Sequence, residues 1–135
     1  MATVKCFEDL EIWQEARRLS KEIISISETT NLKRDFKLRD QIKGSSGSVM
    51  DNIAEGFERD GNLEFRQVLA IAKGSAGETR SQLYRLLDNK YIEEEKMRKF
   101  TSEYEILSRR IATFITYLNK QDFKGNKFKE LQNKQ

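Results

Sequence analysis

The sequence predicts an all-α protein folded as an antiparallel, up-down-up-down four-helix bundle. Four long segments repeat their apolar residues at helical spacing, and short polar links join them. Proline is absent from all 135 residues, which favours uninterrupted helices because proline breaks them. The charged fraction of 35% and the hydrophobic fraction of 37% suit amphipathic helices, since each buries one stripe and solvates the rest.

The first helix is predicted from Asp9, as its N-cap, to about Glu28. Its apolar residues form a wide arc, which suggests burial against more than one neighbour, another subunit included. The arc consists of two adjacent stripes, namely Trp13, Ala16, Ser20, Ile24 and Ser27, and beside them Ile12, Leu19, Ile23 and Ile26.

The second helix is predicted from about Asp35 to Phe57, followed by a turn in which Gly56 or Gly61 takes the left-handed position. Its core stripe consists of Leu38, Ile42, Ser45 and Ser46, Val49, Ile53 and Phe57. A separate side of the helix carries small residues, namely Gly44, Gly47 and Ser48, together with Asp51. Two explanations are open: a helix that tolerates the glycines or is locally flexible, and close contact with a neighbouring helix or subunit.

The third helix is predicted from about Leu63 to Asn89, and the fourth from about Glu93 to Lys120. The third has the stripe Phe65, Leu69, Ala72, Ala76, Thr79, Leu83 and Leu86, which is small at the middle and large at its ends. The fourth has the clearest pattern, with Phe100, Tyr104, Leu107, Ile111, Phe114 and Leu118 at alternating spacings of four and three.

The length predicts one domain, with residues 1–120 as the bundle and residues 121–135 as a basic, flexible tail. The first residues lack the apolar core of a signal peptide, and no apolar run is long enough to span a bilayer. The single cysteine, Cys6, excludes an internal disulfide. A cytoplasmic location without membrane attachment is therefore expected.

Histidine is absent, which excludes Ser-His-Asp and Cys-His nucleophilic sites and zinc sites that contain histidine. The segment Gly44–Gly47 is no phosphate loop, because no strand precedes it. The acidic run Glu93–Glu95 fits the positive end of a helix dipole better than a metal site, because adjacent helical residues diverge. We therefore expect a protein without enzymatic activity, metal or cofactor.

Basic residues recur along the first three helices and suggest two alternatives. The first is a solvated surface with some salt bridges. The second is a symmetric ring, in which repeated basic columns build a positive potential that binds nucleic-acid phosphates without reading sequence. The candidate residues are Arg17, Arg18, Lys21, Arg39, Lys43, Arg66, Lys73 and Arg80.

Polar residues also lie beside the apolar stripes of the second and third helices. Ser75, Glu78 and Gln82 form a ridge on the third helix, and Asn52 and Glu55 lie near the end of the second. Hydrogen bonds between helices that fix their register are the expected role.

Three motifs in order carry a resemblance to a known family. They are F-x-x-L-x-x-W-x-x-A, N-I-A-E-G and G-S-x-x-E-x-x-x-Q-L, found here at Phe7, Leu10, Trp13 and Ala16; at Asn52–Gly56; and at Gly74, Ser75, Glu78, Gln82 and Leu83. With these motifs the chain resembles the bacterial four-helix-bundle family of 23S rRNA intervening sequence proteins over residues 7–118. It differs in having glycine and serine at Gly44–Ser48, where alanine is common in the family.

The resemblance implies a bundle that assembles as a homopentameric ring. It also implies a relationship to the accessory variability determinant of diversity-generating retroelements, which binds nucleic acid and works with a reverse transcriptase. The expected function is a homo-oligomer that binds RNA or DNA non-specifically. The alternative is a protein-interaction or accessory subunit of a nucleic-acid enzyme such as a reverse transcriptase, without direct nucleic-acid binding.

Candidates for assembly or helix packing combine these motifs with the small-residue side of the second helix. They are Trp13, Gly44, Gly47, Ser48, Asn52, Glu55, Gly56, Gly74, Ser75, Glu78 and Gln82.

Overall fold

A computed structural model describes residues 4–59 and 61–133, with side chains described as far as residue 121. Its four helices are α1 (Glu11–Thr29), α2 (Phe36–Glu58), α3 (Asn62–Asp88) and α4 (Glu94–Asn133). Consecutive helices pack side by side, and α1 closes the bundle against α4 through the sparsest of the four seams. The predicted all-α four-helix bundle is confirmed.

The helices α2 and α3 run antiparallel, as their hydrogen bonds show. Residue numbers rise along α2 while those of their partners fall along α3. The bonds join Gln41 Oε1 to Arg85 Nη1 at 3.1 Å, Ser45 Oγ to Gln82 Oε1 at 2.6 Å, and Ser48 Oγ to Ser75 Oγ at 3.1 Å.

The core contains the stripes that helical spacing predicts. All seven stripe residues of α3 are buried, as are those of α4 apart from half-buried Phe114. On α1, only Ile24 of the wide arc is exposed and Trp13 is half-buried, because the arc faces both α2 and α4. The bundle itself therefore accounts for most of the burial that the arc requires.

The predicted N-cap at Asp9 is wrong. Residues Phe7–Asp9 form a 3₁₀ turn, and α1 begins after Leu10, which has no side-chain cap. Apolar packing fixes this end instead, because Leu10 is buried and the Phe7 ring packs edge-on against Trp13 with 5.1 Å between centroids. The Asp9 carboxylate accepts a hydrogen bond from Cys6 Sγ.

In the connection between α2 and α3, the glycine with positive φ is Gly61 and not Gly56. Gly61 has φ of 112° immediately before α3. Gly56 is helical and buried, and a Cβ added there would lie 3.0 Å from Phe65 Cδ1 and 3.2 Å from Val68 Cβ. Gly56 therefore permits the close approach of α2 and α3 near their connection.

The backbone of α4 continues past the predicted helix end at Lys120 and reaches Asn133. The predicted flexible tail, residues 121–135, lies almost wholly outside the residues whose side chains the structure describes. The division between bundle and tail remains a prediction.

We predict opposite stability effects for the same substitution at two glycines of α2. Gly56→Ala lowers the free energy of unfolding, because the Phe65 ring that must yield is held edge-on by Phe57. Gly44→Ala raises that free energy by about 1 kcal/mol, because nothing lies within 4 Å of the new methyl group and alanine is the better helix former. Urea unfolding at one low protein concentration measures both. Equal effects at the two positions would contradict the packing described for Gly56.

Candidate functional site

Four glycines in the interiors of α2 and α3 have no packing role within the chain. These are Gly44 and Gly47 on α2, and Gly74 and Gly77 on α3, and a Cβ built on any of them meets nothing within 4 Å. Each costs the helix about 1 kcal/mol relative to alanine. We call the surface that carries these glycines the outer face of the α2–α3 hairpin.

Large apolar side chains on α3 also point into solvent. Leu63 is 53% exposed, Ile71 57% and Tyr84 51%. At helical spacing, Leu63 and Ile71 lie on the side of α3 away from its buried stripe, as Gly74 does. Tyr84 lies instead on the flank toward α4, where it interacts electrostatically with Arg98. The outer face therefore has glycines at its middle and exposed apolar side chains around them. The sequence analysis did not predict this face, although the helical spacing of its residues indicates it.

Two serines of α2 join it to α3 beneath this face. Ser48 Oγ lies 3.1 Å from Ser75 Oγ. Ser45, which the sequence placed only in the core stripe, lies 2.8 Å from Thr79 Oγ1 and donates to Gln82 Oε1 at 2.6 Å. These bonds between the helices hold them in one register.

Two further polar candidates bond within their own helix. Asn52 Nδ2 donates to Ser48 Oγ at 2.8 Å on α2, and Glu78 Oε1 accepts a bond from Gln82 Nε2 at 3.3 Å on α3.

Three other assembly candidates have contacts away from the glycines. Trp13 lies on α1 under the guanidinium of Arg17, whose Cζ is 5.6 Å from the ring centroid. Gly56 packs within the chain, and Glu55 forms an ion pair with Arg59 at 2.7 Å. The structure brings the remaining candidates, on α2 and α3, to one hairpin.

Carboxylates of α4 face two of the candidate arginines. Arg18 Nη2 lies 3.1 Å from Glu15 and 3.5 Å from Glu103, and Arg80 Nη2 lies 3.6 Å from Glu105. The hydrogen bond from Arg18 lowers the pKa of the Glu15 carboxyl. Sequence spacing could not predict the α4 partners, because they depend on the register between helices.

The other basic candidates lie on three different helices and do not form one patch. Arg39 pairs with Asp40 at 3.0 Å and covers the Phe36 ring at 4.9 Å. Arg66 donates to the Asn62 carbonyl at 3.4 Å and bonds to Asn119 of α4. Lys21, Lys43 and Lys73 are exposed. Within one chain, these basic side chains are therefore separate positive charges on the surface and not a cluster.

Two further features were not apparent from the sequence. An apolar cavity of about 600 Å³ lies at one end of the bundle, lined by Phe57, Phe65, Phe114 and Tyr117 among others. Between α1 and α4, the fully buried Tyr104 hydroxyl has no hydrogen-bond partner among the described residues. Burial raises its pKa above the usual value near 10.

In the described part of the chain, no group of three histidine, cysteine, aspartate or glutamate side chains is placed to hold a metal ion. Glu94 of the predicted acidic run instead pairs with Arg98 at 2.6 Å. No helix within the same residues is long and apolar enough to cross a membrane.

Comparison with known proteins supports the fold. Residues 8–113 match the family described as 23S rRNA-intervening sequence protein. The structure is similar to that of a protein of unknown function from the S23 ribosomal protein family of Bacteroides thetaiotaomicron VPI-5482, with 22% identity and a TM-score of 0.71. This similarity covers 77% of the present chain and 97% of the other, and at such identity it shows the fold alone. No curated protein matches the chain.

We predict that Tyr104→Phe raises the free energy of unfolding at pH 7 by about 1 kcal/mol, because it removes a buried hydroxyl that has no described partner. Since the folded pKa is raised, wild type loses stability as pH rises above 10, where the unfolded tyrosine ionises first. The ionisation of Tyr104 contributes up to about 1.4 kcal/mol of this loss per pH unit, and Tyr104→Phe lacks that contribution. Urea unfolding at pH 7 and pH 11 measures both effects.

Tyr91→Phe is the matched control for Tyr104→Phe. It removes a hydrogen bond of 2.9 Å from the hydroxyl to Asp35, so it is expected to destabilise the fold at pH 7. A loss of stability in Tyr104→Phe as large as that in Tyr91→Phe would show that the Tyr104 hydroxyl has a partner after all.

Proposed function

Because the chain belongs to the 23S rRNA-intervening sequence protein family, we propose that it is a non-enzymatic, homopentameric helical bundle that binds RNA or DNA without reading sequence. The observation that carries this proposal is the outer face of the α2–α3 hairpin. Its four open glycines and exposed apolar residues are unexplained by contacts within one chain.

The outer face has the properties of a contact between helices of different subunits. Glycine in a helix interior allows another backbone to approach closely, and the lost helix propensity is then offset by packing across the contact. Leu63 and Ile71 would supply apolar area around that contact. In this account the glycines are retained for assembly and not for the fold of the single chain.

A ring would change the electrostatics of the basic residues. Cyclic symmetry repeats every basic position, so the separate positive positions of one chain become bands around the assembly. Ion pairs at the surface are worth about 0–1 kcal/mol, so phosphates can compete with carboxylates for exposed arginines such as Arg18. The resulting binding would depend on charge and be independent of sequence.

Phosphate binding predicts a strong dependence of affinity on salt. Filter binding with structured RNA should show an affinity that falls by about 50- to 150-fold between 50 and 200 mM salt if four phosphates are contacted. RNAs of unrelated sequence should bind within a few-fold of one another. Absence of binding even at 50 mM salt would contradict the proposal and favour the alternative role, an accessory or protein-interaction subunit.

If the protein assembles through the outer face, a larger side chain at one of its glycines should prevent oligomer formation and leave the fold of the single chain unchanged. Gly44→Gln and Gly74→Gln should sediment as monomers with unchanged helical circular dichroism, because glutamine is a good helix former but holds a neighbouring helix away. Ser102→Gln, on an exposed position of α4, is the matched control and should sediment as wild type. If all three sediment alike as oligomers, the outer face is not the interface.

A further inference from the structure

Two short connections at one end of the bundle border an open polar cleft. The first connection joins α1 to α2 through a 3₁₀ turn at Asn31–Arg34, and the second joins α3 to α4. The two meet where Tyr91 Oη donates to Asp35 Oδ2 at 2.9 Å. The cleft has a volume of about 480 Å³ and lies at the opposite end of the bundle from the apolar cavity. Its lining residues are Glu28, Thr29, Thr30, Asn31, Lys33, Arg34, Lys90 and Tyr91.

Basic side chains predominate among the charged groups of this cleft. Lys33 and Arg34 come from the first connection and Lys90 from the second, against the single carboxylate of Glu28. Arginines on the sides of the bundle, such as Arg18, pair with carboxylates, which compete with any phosphate. Within the described part of the chain, the three cations of the cleft have no ion pair and their side chains make no hydrogen bond. A phosphate can therefore bind them without displacing a carboxylate.

The other hydrogen-bond donors of the cleft are mostly occupied. The hydroxyls of Thr29 and Thr30 each donate to a main-chain carbonyl of α1 at 2.7 Å, and the Tyr91 hydroxyl donates to Asp35. The side-chain amide of Asn31 has no partner among the described residues. The free side-chain donors are therefore three cations and one amide, a combination that suits the oxygens of a phosphate.

Lys90 occupies a backbone conformation that favours glycine. Its φ is 63°, and among the described residues it is the only one other than glycine with positive φ. Its N–H donates to the Leu87 carbonyl and that of Tyr91 to the Leu86 carbonyl, both at 2.9 Å, which is the pattern that ends a helix in a left-handed residue. Lysine is less favourable than glycine in this conformation, so a use for its side chain at the cleft explains its presence.

We propose that this cleft, here called the connection cleft, binds phosphate groups of the RNA backbone. The inference rests on the proposed function and names a site for it, formed by side chains that the sequence analysis did not select. A cyclic ring places equivalent clefts at the same level around its axis, so one RNA can contact several of them and gain affinity. A nucleotide carries the same phosphate chemistry, and the experiment below distinguishes the two sources.

Two full-length variants that remove the same charge test this inference. In each variant, two lysines and one arginine are changed to glutamine. The cleft variant carries Lys33→Gln, Arg34→Gln and Lys90→Gln. The control variant carries Lys5→Gln, Arg110→Gln and Lys120→Gln. The control positions are exposed, lie outside the connection cleft, and are not among the nucleic-acid-binding candidates of the sequence analysis.

Filter binding with structured RNA from 50 to 200 mM salt compares the variants, with sedimentation as a measure of assembly. The cleft variant should bind at least about 20-fold more weakly than wild type at 150 mM salt. Its slope of log affinity against log salt should fall in magnitude by about 2, because each lost phosphate contact contributes about 0.7–0.9. The control variant should lose less than about threefold in affinity.

Lys90→Gly separates binding from folding, because its two expected effects have opposite signs. Glycine suits the left-handed conformation better than lysine, so the urea midpoint of unfolding should rise. RNA affinity at 150 mM salt should fall by about fourfold, because one cation of the cleft is lost. An unchanged RNA affinity would overturn the inference, since Lys90 is the only cation that the second connection contributes to the cleft.

The outcomes separate this inference from the proposed function. If wild type binds RNA and the control variant loses as much affinity as the cleft variant, the inference is overturned and the function stands. Calorimetry with ATP tests the other source of phosphate. If wild type binds ATP, the cleft variant does not, and both bind RNA equally, the cleft is a nucleotide site and the inference is again overturned. If wild type itself does not bind RNA, both fall.

Discussion

The close contact between α2 and α3 is the constraint on which the rest of the structure depends. Small polar residues meet across this seam, where Ser45 Oγ lies 2.8 Å from Thr79 Oγ1 and Ser48 Oγ lies 3.1 Å from Ser75 Oγ. Helix axes can approach only as closely as the side chains between them allow, so larger residues here would open the bundle. The bond from Ser45 to Gln82 fixes the register of the pair and thereby the arrangement of the outer face.

The parts of the fold that could be predicted are those set by helical period. The buried stripe of α3 and most of that of α4 follow from spacing alone, because a helix that packs on one side must repeat its apolar residues every three or four positions. The start of α1 was not predictable from capping preference, since buried Leu10 and the Phe7 ring determine it. Pairs such as Arg80 and Glu105 were beyond sequence reasoning because they depend on the register between helices.

The candidate site was predictable in outline only. The sequence showed that α2 has one apolar side and one small side, and the structure adds that α3 has open glycines near the exposed side chain of Ile71. The glycines of the outer face contribute nothing to packing within the chain, whereas Gly56 does. In this account, assembly and fold use different glycines of the same helix.

Self-assembly is the central claim, because the proposed binding of phosphates depends on basic positions that are repeated around a ring. Native mass spectrometry of the wild-type protein tests it most directly, since it counts subunits without assuming a shape. The account predicts a species of about 80 kDa, five times the chain mass of 15.9 kDa, at micromolar concentration. A spectrum that contains only the 15.9 kDa monomer under the same conditions would contradict it.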